Sequence, residues 1–221
     1  MSPGTTARWL RFLNPESLKQ NLIRASIYIT CWELLKESVI GRPKDFFTHK
    51  WSASGEGKPS PAYKTNVLSL HRDPLIASAL WFRNRQAVSD GDIELLKSLK
   101  KHRNEIAHEL PKFLGQADCE VRLDFLSGAF LLVEKIDKWW IQNVEIPTNP
   151  DFAARVFTDE ELNNVTSARM ICMNLIISVA NGDEEGMRQI YEGLRLHVER
   201  EAFAPVIPSA DVPDPRRPGR G

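Results

Sequence analysis

Apolar residues recur at helical spacing along most of the chain, in runs punctuated by prolines, glycines and capping residues. From Pro15 to about Ile40, Leu18, Leu22, Ala25, Ile29, Trp32 and Val39 share one face. Ile23, Ile27 and Leu34 form a second stripe roughly opposite, at about 100° per residue. A helix apolar on two sides is either central in a bundle or shared with a partner subunit. Gly41 and Pro43 read as its end. Asp73-Pro74 is an N-cap and first-turn pair and predicts a helix over 74–87. Ser89, Asp90 and Asp92 can cap the next helix, about 90–110, which Pro111 is expected to stop. A long apolar helix follows, about 118–143, through Val121, Phe125, Leu132, Ile136 and Trp140, until Pro147 and Pro150 break the pattern. Thr158-Asp159-Glu160-Glu161 is a capping box, with Phe157 and Leu162 placed as its hydrophobic staple. It opens a helix expected to run to about Ala180, with Asn181-Gly182 as the stop signal, and a last helix is expected over about 183–202. With no hairpin signal and no internal repeat, the pattern predicts an all-α helical bundle.

Residues 41–65 are rich in Gly, Pro, Ser and Lys and read as a long loop, whose Phe46, Phe47, Trp51 and Tyr63 are expected to pin it to the core. From Ala204 onward, five prolines in eighteen residues and the string Pro-Arg-Arg-Pro-Gly-Arg-Gly leave nothing to bury, so 204–221 is expected to be a disordered tail. The expected organisation is therefore one helical domain over 1–203, with C-terminal helices at about 158–202.

Composition narrows the function classes. Lys+Arg and Asp+Glu are equal at 29 each, so no overall field draws in nucleic acid, and any RNA must be held by a local cluster. Cys31, Cys119 and Cys172 are odd in number and widely spaced, against a disulfide framework or a cysteine zinc site. Each is expected to act as a small hydrophobe on a helix face. No stretch approaches the roughly 20 apolar residues of a membrane helix, and Met1 to Asn14 does not resemble a secretory signal. The expected setting is the reducing cytoplasm, with no membrane partner. Five histidines, none with ligand-like spacing apart from the region of His102 and His108, and no paired carboxylates on one helix face give a metal-dependent enzyme little support; no metal or cofactor is expected.

The informative stretch runs from Ile93 to Leu110. Leu95, Leu96, Leu99, Ile106, Ala107 and Leu110 form its apolar face, and Arg103 projects from the middle of that face. An arginine cannot shed its charge there, so it needs a carboxylate, a phosphate or several carbonyls. A salt bridge to Glu33 or Asp124 on another helix is the plain structural answer. Asn104 and His108, four apart, stack on one edge about 100–140° round from Arg103. The spacing alone carries almost nothing. With 17 Arg and 5 His among 221 residues, one Arg-x4-His arises by chance about 0.4 times. Arg42 and His49 match a looser x6 form but fall in the Pro/Gly-rich loop, where no helix would fix their geometry.

Lys101-His102-Arg103-Asn104-Glu105-Ile106-Ala107-His108 resembles the signature of the HEPN superfamily, an all-helical group marked by Arg, a polar residue and then His, written R-x4–6-H. The resemblance is specific over about 93–111, loose over 15–143 and silent on 150–221, which reads as extra C-terminal helices. It implies metal-independent RNA cleavage in a cleft between two subunits, often by a toxin or antiviral effector. Carried over, Arg103 holds the scissile phosphate, His108 moves protons, and Asn104 orients one of these groups. Lys97, Lys100, Lys101 and His102 form the basic cluster beside them, suited to an RNA backbone. Implied partners are RNA, a second copy of the chain, and an antitoxin or regulatory protein. Some family toxins extend the motif to His-x-Tyr, where an antitoxin modifies the tyrosine; Leu110 stands there in this chain, against that mode of control. The rival expectation is a non-catalytic helical interaction module, in which Arg103 and His108 only knit subunits together.

Overall fold

The computed structural model describes residues 3–49, 57–116, 118–153, 155–180, 182 and 185–202. All regular elements among them are helical: α1 (Pro3–Leu13), α2 (Pro15–Lys36), a π-turn (Glu37–Gly41), α3 (Arg42–Phe46), α4 (Pro61–Asn66), α5 (Pro74–Arg83), α6 (Asp90–Gly115) and α7 (Asp124–Trp140). A second π-turn (Ile141–Glu145) leads into α8 (Ile146–Thr148), followed by α9 (Asp159–Asn163), α10 (Ala168–Ala180) and α11 (Glu185–Ala202). The all-α architecture expected from the periodicity is what forms. No helix among the described residues is long and apolar enough to cross a membrane. Trp51 and the tail from Ala204 lie outside the described residues.

Helix α2 is the centre of the bundle, packed against α6, α7 and α10. Ala25, Tyr28, Trp32 and Leu35 repeat at three- and four-residue steps, and Ile27 and Cys31 widen that stripe. Both apolar faces are therefore used inside one chain over 25–35, whereas Leu22 and Ile23 near the helix start remain exposed. Leu96, Leu99 and Ile106 of α6 are fully buried, each contributing about 1.5–3 kcal/mol of hydrophobic stabilisation. Gly128 lets α7 close on α6, since a Cβ there would come within 3.1 Å of Leu95 Cδ2. Cys31 is sealed in this core, and burial pushes its thiol up to about 11. Cys172, by contrast, is exposed, and Cys119 is half-buried outside any helix, so only Cys31 fits the apolar role expected of all three.

Prolines mark where sequence and structure part. Gly41 and Pro43 do not end the first long helix, which continues through the π-turn into α3, and Pro147 likewise sits within α8 after the second π-turn. In a regular α-helix each proline ring would collide with the carbonyl four residues earlier, at Val39 or Asn143. The wider π-turn lies over those residues and accommodates the ring. Pro111 does not stop α6 either. It kinks the helix, with Glu109 at φ −123°, ψ 26°, and the chain stays helical to Gly115. The helix expected over 118–143 begins only at Asp124. The Thr158 capping box forms as read, but α9 ends at Asn163. Two asparagines there compete for the backbone, and Ser167 caps α10 afresh by accepting the Met170 N–H at 3.2 Å.

The loop aromatics do anchor their segment. Phe46 and Phe47 pack on Trp81 at 5.8 and 6.3 Å between centroids, and Phe47 reaches Tyr63 at 6.3 Å. The chain divides into two compact units, Met1–Gly182 and Asp183–Gly221; the boundary follows Gly182, whose φ of +79° is the left-handed turn a glycine stop signal provides. The second unit contributes α11, whose Met187, Ile190, Tyr191 and Leu196 are exposed.

Candidate functional site

Helix α6 is aimed by its ends and its middle. Ser89 Oγ accepts the Asp92 N–H at 3.2 Å and Asp92 accepts the Ser89 N–H at 2.7 Å, closing a capping box. Halfway along, the Tyr28 hydroxyl of α2 donates to the Leu99 carbonyl at 3.2 Å. Its burial pushes the Tyr28 pKa up, which keeps the donor protonated.

One turn later Arg103 emerges into a cleft of about 230 Å³ between α2, the start of α5, and α6. Trp32 and Lys36 of α2, Asp73 before α5, and Lys100 and Asn104 of α6 share the walls. Arg103 is neither sealed nor free. Its side chain is 31% exposed, and Nη2 donates to Glu33 Oε1 at 3.0 Å, while Glu33 is itself 42% exposed. Of the two acids that could have answered Arg103, it is Glu33; Asp124 pairs instead with Arg122 Nε at 2.8 Å. Glu33 also accepts from Lys36 Nζ at 2.8 Å. Across the cleft Lys100 is paired with Asp73, which also caps α5 by accepting the Leu75 N–H at 3.1 Å. Lys36 chiefly, and then Arg103, hold the Glu33 carboxyl below its usual range. For Asp73, burial pulls upward but the bonds from Lys100 and Leu75 outweigh it, and the net shift is downward.

The sign of that linkage is fixed. Carboxyls whose pKa falls on folding add stability above their ordinary pKa and lose it as pH drops through the folded value. Stability should therefore decline as pH falls below about 4. An acid titration of the thermal midpoint tests this: Glu33→Gln and Asp73→Asn should each flatten the decline, and unchanged curves would show that neither pair contributes.

The motif residues separate on the helix. His108 is exposed, has no side-chain partner among the described residues, and immediately precedes Glu109, where the helix kinks. Asn104 borders the cleft and accepts from Arg103 Nη1 at a long 3.4 Å. Lys97 and Lys101 lie on the exposed face, with Lys97 bound to Glu94 at 2.7 Å and Lys101 near Glu105 at 4.0 Å. Ala107, assigned to the apolar face, is exposed.

His102 is the correction within the basic cluster. It is 7% exposed and turned into the core, so it is not placed to hold an RNA backbone. Its Nε2 accepts the Arg122 N–H at 2.9 Å, and Nδ1 faces Glu105 Oε2 at 3.4 Å, which together assign the proton to Nδ1. The rings of Tyr28, Phe113 and Phe125 meet it edge-on at 4.9, 5.7 and 5.7 Å. The spacing contained this signal: His102 is three residues after Leu99 and four before Ile106, on the inward stripe.

A second polar constellation escaped the sequence reading. Asp137 of α7 is fully buried, with Arg42 Nε at 3.6 Å and Arg169 Nη1 at 3.3 Å. The Ser38 and Ser167 hydroxyls donate to it at 3.2 and 2.5 Å. Arg42 also reaches Glu145 at 2.5 Å and lies 5.3 Å from the Trp140 ring centre. Arg42, set aside as a loop residue, thus opens α3 as part of a buried ion-pair network. The same signal that singled out Arg103, a charge in an apolar stripe, was present in Val133, Ile136, Asp137 and Trp140.

A groove of about 670 Å³ lies elsewhere, between α2, α7 and α10. Its walls include Ile23, Ile27, Leu126, Phe130 and Ile177, and among the described residues Arg24 is their one charged side chain. Among the described residues no three His, Cys, Asp or Glu side chains group as metal ligands would. No family model, no curated protein and no solved structure matches this chain.

Proposed function

We propose that this chain is a metal-independent endoribonuclease of HEPN type, a toxin or antiviral defence effector of the cytoplasm that works as a homodimer. The observation that carries the reading is the open placement of the motif: Arg103 and Asn104 border an accessible cleft, and His108 is exposed on the same helix. A guanidinium is a fixed planar cation suited to a phosphodiester and to the extra charge of its transition state. Imidazole suits proton transfer near neutrality. In the proposed reaction the RNA 2′-oxygen attacks phosphorus as its proton passes to a base, the P–O5′ bond breaks, and the 5′-oxygen takes up a proton. The products are a 2′,3′-cyclic phosphate and a 5′-hydroxyl, with no further reactant needed.

Helix geometry supports the dimer. His108 stands five positions after Arg103, so the two project about 140° apart and diverge within one chain. A second copy related by a two-fold axis can bring the Arg103 of one subunit toward the His108 of the other. Trp9, Leu10 and Leu13 of α1 and Leu22 and Ile23 of α2 are exposed and provide apolar surface for such contact. Light scattering at micromolar concentration should give twice the chain mass; a monomer with no RNA bound would remove the composite cleft. The activity itself is tested by incubating single-stranded or loop RNA with purified protein in EDTA, where cleavage is expected.

The rival interaction module draws on one observation: Arg103, Lys97 and Lys100 already have carboxylate partners within the chain. Glu94 is 71% and Glu33 42% exposed, which leaves these two displaceable, whereas Asp73 at 27% holds Lys100 more firmly.

A further inference from the structure

The cleft at Arg103 holds more cations than the motif supplies. Lys36 comes from α2, is 45% exposed, and reaches the same carboxylate as Arg103, 2.8 Å from Glu33 Oε2, while Arg103 is 3.0 Å from Oε1. Glu33 therefore bridges two cations from two helices with its two oxygens, the arrangement a phosphodiester's two non-bridging oxygens would take. Lys100 completes a set of three cations and is held by Asp73. Arg103 Nε is a buried donor with no hydrogen-bond partner among the described residues, so the guanidinium keeps an unspent donor beside the carboxylate.

We propose that Glu33 is an internal stand-in for an RNA phosphate, and that Lys36 is a third phosphate-binding residue of this site, outside the motif. On binding, the phosphodiester takes over Arg103 and Lys36, and Glu33 turns out to solvent, which its exposure of 42% permits. Until then Glu33 holds both cations in their ligand-bound positions and lowers the affinity of the cleft for anions. This inference rests on the ribonuclease reading for its ligand, but not on catalysis.

The probe is a short single-stranded RNA with 2′-O-methyl sugars, which cannot be cleaved through the 2′-oxygen. Its affinity is measured across a salt series for wild type, Glu33→Gln, Lys36→Met and Glu160→Gln. The last makes the same charge change at an exposed residue of α9 and controls for the general field. Glu33→Gln should bind about two- to fivefold tighter than wild type, the scale of a partly exposed ion pair removed from competition. It should also exceed Glu160→Gln. Lys36→Met should bind more weakly and lower the salt slope by about 0.7, one single-strand phosphate contact fewer. Thermal melts confirm that each variant is folded, and Lys36→Arg, which retains the charge, should recover most of the affinity if a melt is lowered.

Glu33→Gln no tighter than Glu160→Gln, or a salt slope unchanged by Lys36→Met, overturns the proposal. So does a wild type that binds inorganic phosphate but no RNA, which would mark a small-anion site. The two readings fail separately. The expected binding pattern with no cleavage of unmodified RNA leaves the phosphate site standing and removes the nuclease. Cleavage with an indifferent Glu33→Gln does the reverse.

Discussion

Arg103→Ala and His108→Ala are each expected to abolish RNA cleavage while leaving the thermal midpoint almost unchanged. Loss of Arg103 removes a charged donor pair from the scissile phosphate, for which about 100–1,000-fold in rate is the usual scale. Loss of His108 removes proton transfer and should cost about 100–10,000-fold. The stability half of the expectation follows from exposure. Arg103 is 31% and Glu33 42% exposed, so their ion pair contributes at most about 1 kcal/mol. After truncation Glu33 still has Lys36 at 2.8 Å and solvent around it. His108 has no described partner to strand. A structural knot behaves in the opposite way: truncation leaves an unpaired buried charge, and the melt collapses by several kcal/mol. Cleavage in EDTA and melting, measured on the same two variants, therefore decide between nuclease and interaction module. An inert wild type with destabilised mutants would end the nuclease reading. Mixing Arg103→Ala with His108→Ala adds a test of the composite cleft, because heterodimers retain one intact Arg103/His108 combination across the interface and should recover activity.

What was legible in the sequence was local. The caps at Asp73, Ser89 and Thr158 act within three residues, and each forms as read. Apolar periodicity likewise located the central helix and its buried Ala25, Ile27 and Trp32, but not Tyr28 and Leu35, which fall between the two assigned stripes and are buried as well. The prolines misled because their effect depends on the turn before them. A π-turn absorbs Pro43 and Pro147, whereas Pro111 forces a kink, and no single residue announces which will happen. The motif residues were found by kind and spacing, yet their surroundings come from partners far away in sequence: Glu33 is 70 residues from Arg103, and Asp73 is 27 from Lys100. The clearest miss is a matter of depth. Two charges stand in apolar stripes, Arg103 and Asp137, and spacing alone does not tell that Arg103 is 31% exposed. The fully buried one is Asp137.

That buried carboxylate yields the largest expected loss of stability. Asp137 sits where three segments of chain meet: Ser38 lies in the first π-turn and Arg42 follows it, Ser167 and Arg169 begin α10, and Asp137 itself lies in the last turn of α7. Its two oxygens take two hydroxyls and face two guanidinium groups, so the cost of burying one negative charge is met from several directions at once. Asp137→Ala removes the acceptor and leaves two arginines without it. Arg42 keeps Glu145 and the Trp140 face, but Asp137 is the one carboxylate paired with Arg169 among the described residues. Breaking one side of such a network costs about 3–5 kcal/mol. Asp137→Asn keeps the shape and one acceptor oxygen, so it should lose less than alanine while still losing charge compensation for both arginines. Ser167 is also the cap of α10, hence the damage should spread unevenly, and hydrogen exchange should rise first in α10 rather than in α6. Urea unfolding of the two variants measures the total, and a loss below about 1 kcal/mol for Asp137→Ala would show that the arginines find water instead. Because this network holds no motif residue, a mutant that stays folded at low temperature should still cleave RNA there. That result would separate the cluster that carries stability from the proposed site at Arg103.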